Sequence, residues 1–174
     1  LPYSELKVIC PYTNLQYATE FFLRLEEPKT RFVYTGHSTT AYYELLKELW
    51  NQQETFIMVE HDIVIWPGAL HDLWECSEPL CAYEAPYNIT LVGGRRGLSY
   101  GIGCLKWNSI LMTKFPNLVI DTPEEDREWV RLDQVFVVKA AIANNDCIHY
   151  HYPPIGHLNR ARFPMDHLIS EETE

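Results

Sequence analysis

Short continuous apolar runs alternate along this chain with longer stretches of helical period. Leu6-Lys7-Val8-Ile9-Cys10 is the first run and reads as a buried strand that ends at Pro11. Thr13 or Asn14 can cap a helix carrying Leu15, Ala18, Phe22 and Leu25 on one face, and Pro28 stops it. Residues 31–35 predict a second strand closed by Gly36, and a second helix follows Ser38 with Tyr42, Leu45, Leu46, Leu49 and Trp50 inward. Residues 55–59 predict the third strand. The run 63–66 leads to Pro67, placed at the first turn of a short helix through Leu70, Leu73 and Trp74. Residues 80–83 read as a fourth strand, 93–97 as a loop and 98–105 as a glycine-containing strand. A helix with Trp107, Ile110, Leu111 and Phe115 follows, then a loop over 116–127. Residues 129–144 predict a helix with Leu132, Val135, Phe136, Ala140 and Ala143 inward, and 147–152 a final strand.

Strand and helix in alternation, with spacers of this length, require parallel crossovers. The expected fold is α/β: a three-layer Rossmann-like sandwich around a mostly parallel sheet. Residues 1–158 form one domain in this reading, and 159–174 a polar C-terminal tail. Such sheets bind ligands outside the carboxyl ends of their strands. Three loops fall there: Pro11-Tyr12-Thr13-Asn14, Thr35-Gly36-His37 and Glu60-His61-Asp62.

Charge narrows the partners. The net charge of −10 over 174 residues argues against a nucleic-acid backbone. An anionic substrate would need a bound cation, or a cluster such as Arg95-Arg96, to offset that field. The five cysteines form no CxxC pair, and Cys10, Cys104 and Cys147 lie in apolar runs. Reduced buried thiols are expected, which suits a cytoplasmic location. No apolar run reaches the length of a membrane span, and Leu1-Pro2-Tyr3-Ser4-Glu5 lacks the start of a signal peptide.

Glu60-His61-Asp62 carries the strongest chemistry. Carboxylates two residues apart on extended backbone point the same way, and oxygen ligands suit Mg2+ or Mn2+ bridging a diphosphate. The plainer reading is a solvated strand end. Asp133, near the start of an apolar-faced helix, can act as a base toward a hydroxyl, or simply favour the helix's first turn. His157 follows Pro153-Pro154-Ile155-Gly156 and can close a Mn2+ shell. His149 and His151 share a strand face and could bind metal together. Cys76 and Cys81 could join them in a zinc site, but the spacing is not that of a standard one. Tyr100-Gly101-Ile102-Gly103 places glycines within a strand, a mark of close approach by a ligand or another backbone.

Taken in order, Val8-Ile9-Cys10-Pro11-Tyr12-Thr13, the run from Phe56 to Asp62, Trp129-Val130-Arg131-Leu132-Asp133 and Gly156-His157 resemble a GT-A fold glycosyltransferase. The resemblance implies a nucleotide pocket at Pro11, Tyr12, Thr13, Thr35 and Gly36. It implies DxD-like carboxylates at Glu60 and Asp62, with Asp62 the metal ligand and Glu60 reaching the ribose. His157 would complete the metal site, Asp133 would be the base of an inverting reaction, and Tyr100, Gly101 and Trp129 would meet sugar or acceptor. The implied cofactor is Mn2+ or Mg2+. The implied partners are a nucleoside diphosphate sugar, UDP-sugar favoured, and a hydroxyl acceptor. The chain departs from the family in having Glu at the first DxD position and Leu132 where many members carry a second acid. Two other classes compete: a GT-A-like module that binds nucleotide or glycan without turnover, and a metal-dependent hydrolase built on His149 and His151.

Overall fold

A computed structural model describes residues 6–83, 86–90, 96–100, 103–145, 147–151 and 155–158. The strands are β1 (Val8–Tyr12), β2 (Arg31–Tyr34), β3 (Phe56–Val59), β4 (Ile63–Val64), β5 (Leu80–Tyr83), β6 (Pro86–Thr90), β7 (Arg96–Tyr100), β8 (Cys104–Trp107), β9 (His149–His151) and β10 (Gly156–His157). The helices are α1 (Tyr17–Glu26), α2 (Ala41–Gln52), α3 (Ala69–Glu75), α4 (Ser109–Lys114) and α5 (Trp129–Ala143), and a 3-10 turn lies at Glu124–Asp126.

Six strands form one sheet in the order β2-β1-β3-β8-β5-β9. The pairs β1–β2, β1–β3 and β5–β9 are parallel, while β8 is antiparallel to both its neighbours, so β8 alone runs against the rest. The reversal has a local cause. After β5 the chain makes the antiparallel β6–β7 hairpin and re-enters the sheet as β8 without a crossover helix.

Period-two alternation sorts the strand side chains onto two cores. Ile9, Phe56, Met58, Leu80, Ala82, Leu105 and Trp107 face α2, α4 and α5. Val8, Cys10, Ile57, Val59, Cys81, Tyr83 and Cys104 face α1 and α3. Strands buried on both faces need continuous apolar runs, which is what the sequence supplies. The α2 side is anchored by Trp50, Trp107 and Phe136, whose ring centroids lie 5.4–5.6 Å apart. Such aromatic pairs contribute about 0.5–1.5 kcal/mol each beyond burial. The three-layer, mostly parallel α/β sandwich is therefore the fold.

Several local expectations are corrected. β1 runs through Pro11 to Tyr12; its pairing with β3 ends at Ile9, so beyond that point no ladder on that side requires a proline N–H. α1 begins at Tyr17 after Gln16, and it buries Thr19 and Leu23 while Leu25 is 63% exposed. Aromatic and aliphatic residues surround that helix, so its pattern did not single out one face. Trp107 ends β8 instead of opening a helix, because the glycine-containing run divides into β7 and β8. Pro67 stands before α3, whose N-cap Gly68 has φ +86°, a conformation that favours glycine.

Candidate functional site

β3 delivers the acidic triplet. Its four residues are fully buried, and Glu60 leaves the strand with its N–H donating to the Gly103 carbonyl at 2.9 Å. Ile63 N–H then donates to the Glu60 carbonyl at 3.2 Å, which closes a turn over Glu60-His61-Asp62. The expectation of extended backbone is thus corrected; the chain bends here to start β4. Nor is the triplet a solvated strand end, for Glu60, His61 and Asp62 are only 5%, 7% and 7% exposed.

Three distant segments close on that turn. From the N-terminal side, Gln16 N–H donates to the His61 carbonyl at 3.1 Å, just ahead of α1. From the C-terminal side, β10 pairs antiparallel with β4, with His157 opposite Ile63, and Leu158 N–H donates to the Asp62 carbonyl at 2.8 Å. From α5, the Trp129 ring meets the His61 ring edge-on with centroids 5.4 Å apart.

Trp129 also stacks on Tyr42, at 5.8 Å and 21° between planes, and its backbone N–H donates to the Thr39 carbonyl at 3.2 Å. Beside this pair opens a cavity of about 450 Å3, lined by Thr13, Thr35, Gly36, His37, Ser38, Thr39, Tyr42, Glu128 and Trp129. It lies at the carboxyl ends of β1 and β2, where Thr35 N–H donates to the Tyr12 carbonyl at 2.8 Å. Tyr12 and Tyr34 form an aromatic pair at 5.6 Å, and Tyr34 approaches His37 at 6.3 Å. A Cβ on Gly36 would sit 2.6 Å from the Tyr34 hydroxyl oxygen, so glycine lets that ring lie over the loop.

Electrostatics at the turn follow from burial. Desolvation, followed by the charges of Glu60, Asp62 and Glu20, pushes the Cys10 thiol far up, so Cys10 stays protonated and inert. Burial pulls the His61 imidazole down while Asp62 opposes it, and Nδ1 of His61 is buried without a hydrogen-bond partner among the described residues.

Of the residues expected from sequence, Thr13, Thr35, Gly36 and Trp129 line the cavity. Pro11 and Tyr12 lie in the strand just before it. Glu60 and Asp62 occupy the turn that Trp129 joins to the cavity through His61. Asp133 falls in α5 and His157 in β10, and both side chains lie outside the described residues, as does that of Tyr100 in β7. Gly101 and Arg95 lie wholly outside them. Sequence reasoning did not single out Ser38, Thr39, Tyr42 and Glu128 as cavity residues. The polar run Thr35-Gly36-His37-Ser38-Thr39-Thr40 between a strand and a helix was an available signal, whereas Tyr42 counted as core and is also buried. Among the described residues no helix is long and apolar enough to cross a membrane.

No protein-family model matches the sequence, and no curated protein matches it. Solved structures to which the chain bears a distant likeness include two. One is A197 from STIV, at 10% identity and TM-score 0.43, covering 78% of each chain. The other is a Bacillus anthracis protein assigned as a glucose-1-phosphate thymidylyltransferase and solved with sucrose, at 9% identity and TM-score 0.44, covering 86% of this chain and 68% of that one. Likenesses this distant carry no argument about chemistry, which rests on this chain's own residues.

Proposed function

We propose that this chain is a metal-dependent glycosyltransferase that moves a sugar from a nucleoside diphosphate donor, UDP-sugar favoured, to a hydroxyl acceptor. The observation that supports it most is the β4–β10 pairing, which carries the backbone of a histidine from the far end of the fold to the buried acidic turn. That turn stands beside a cavity of about 450 Å3 with aromatic and hydroxyl walls, a size and lining suited to a nucleoside.

The donor set fits a hard or borderline cation. Two buried carboxylates, with the His157 backbone paired beside them, match Mn2+ or Mg2+, and the negative field they set up at Cys10 favours a positive charge. A divalent ion bound there would offset the charge on the diphosphate leaving group. Asp62 and His157 would hold it, and Glu60 would accept from a ribose hydroxyl. Thr13, Thr35 and the Tyr42–Trp129 pair would seat the nucleoside. Asp133 stands one helical turn after Trp129 and would take the acceptor's proton as its oxygen bonds to the anomeric carbon and the diphosphate departs.

Thermal melts with uridine, guanosine, adenosine, cytidine and thymidine diphosphates, each with and without Mn2+, test this reading. A ligand at 100 times its dissociation constant stabilises by about 2.7 kcal/mol. For a chain of this size the expected rise is about 5–10 °C with Mn2+ and the right diphosphate, abolished by EDTA. No metal-dependent shift with any of the five would sink the proposal. A shift without sugar transfer or donor hydrolysis would leave a binding module.

A further inference from the structure

At the opposite edge of the sheet lies a second cluster of ligand side chains that the glycosyltransferase reading does not use. Sulfur atoms of Cys76 and Cys81 and a ring nitrogen of His151 all lie within 4.8 Å of one another. They come from three elements: Cys76 caps the end of α3, Cys81 is in β5, and His151 is in β9. The register sets Cys81 against His149 and Tyr83 against His151, so the sulfur and both imidazoles share one face. Nε2 of His151 is buried with no hydrogen-bond partner among the described residues.

We propose that Cys76, Cys81 and His151, with His149 as fourth ligand, form a structural zinc site that clamps the edge strand β9 to β5 and α3. The donor chemistry is thiolate and imidazole, the set that selects zinc over the hard cations expected at Asp62. Tetrahedral zinc with Zn–S of ~2.3 Å and Zn–N of ~2.0 Å places ligand atoms roughly 3.5–3.8 Å apart, so closure needs side-chain movements of about 1 Å. Two imidazoles on one such ion have ring centres about 5 Å apart. The His149 and His151 centroids are 4.9 Å apart, with planes at 78°.

The surroundings accommodate the charge. Two thiolates neutralise the ion. Lys106, 1% exposed, donates to the carbonyls of Trp74 and Cys76. A clamp has a mechanical use as well. Among the described residues β9 is an edge strand of three residues paired with β5 alone, and β10, which pairs beside Asp62, follows it closely in the chain.

Cobalt substitution reads this site apart from the oxygen-rich one. Reduced wild-type protein with Co2+ should show a thiolate-to-metal charge-transfer band and the strong visible absorption of four-coordinate cobalt. Cys76→Ser and His151→Ala should each lose that spectrum, while Asp62→Ala keeps it. Should a variant fail to fold, zinc added to the wild type should slow alkylation of Cys76 and Cys81, read by mass spectrometry. A wild type with no thiolate–cobalt band, equal labelling with and without zinc, or an unchanged spectrum in Cys76→Ser would overturn the proposal. So would a Cys76–Cys81 disulfide that persists under the reducing conditions of purification.

Discussion

The His61 imidazole meets the Trp129 indole edge-on, with centroids 5.4 Å apart and planes at 75°. That contact couples the acidic turn after β3 to the first residue of α5, and Trp129 in turn stacks on Tyr42 in the cavity wall. Turn and cavity thus share one aromatic wall.

Trp129→Ala removes two aromatic pairs and should cost about 1–3 kcal/mol. Each kcal/mol lowers the melting temperature by roughly 2–4 °C in a chain of this size. Donor affinity should fall with it, and Trp129→Phe should recover part of both. Urea titration and calorimetry measure the two effects. Unchanged donor affinity in the alanine variant would detach the cavity from the site.

Asp62→Ala should abolish Mn2+-dependent donor binding in a protein that remains folded. The Asp62 main chain keeps its role, since Leu158 bonds to the carbonyl and not the side chain. Calorimetry with UDP and Mn2+ is the measurement. Wild-type affinity in the variant would remove Asp62 from the metal site.

Asp133→Asn should lower turnover by about 10²–10⁴-fold while donor affinity holds, because the amide keeps the shape but takes no proton. Near-full transfer activity would make Asp133 a helix residue and nothing more. An equal loss of donor binding would assign it to holding the sugar.

Cysteine ionisation gives a prediction independent of substrate. Burial pushes the Cys104 thiol from 9.0 up to about 12. The folded protein therefore keeps a proton that the unfolded chain releases, and stability falls as pH rises from the unfolded value toward the folded one. The loss approaches about 1.4 kcal/mol per pH unit for such a thiol. Urea titrations at neutral and alkaline pH should show this decline, blunted in Cys104→Ala. Cys147 is exposed, against the burial expected from its apolar run, so at neutral pH a thiol reagent should modify it quickly and reach buried Cys10 and Cys104 only on unfolding. A flat stability profile above the unfolded pKa would refute the account.

Much of the architecture was legible because it rests on local pattern. The apolar runs at β1, β3 and β5 and the helical spacing of Tyr42, Leu45, Leu46, Leu49 and Trp50 locate elements and buried faces without knowledge of neighbours. The same pattern set the acidic triplet at the end of a buried strand. It misjudged α1, where apolar residues lie all round the helix, and the run before Trp107, where one predicted strand is two.

By itself, then, the sequence determined the α/β alternation, the two buried faces of the sheet, and the place of Glu60-His61-Asp62 at the carboxyl end of β3. These follow from side-chain period and transfer free energy, which act over a few residues at a time. Tertiary structure decided the rest. The bend that buries the triplet, the pairing of His157 with Ile63, the reversed direction of β8, and the meeting of Cys76 and Cys81 with His151 all depend on register between segments far apart in the chain. No local period encodes that register. It is set when two cores and one sheet must close together, with every buried backbone group finding its partner.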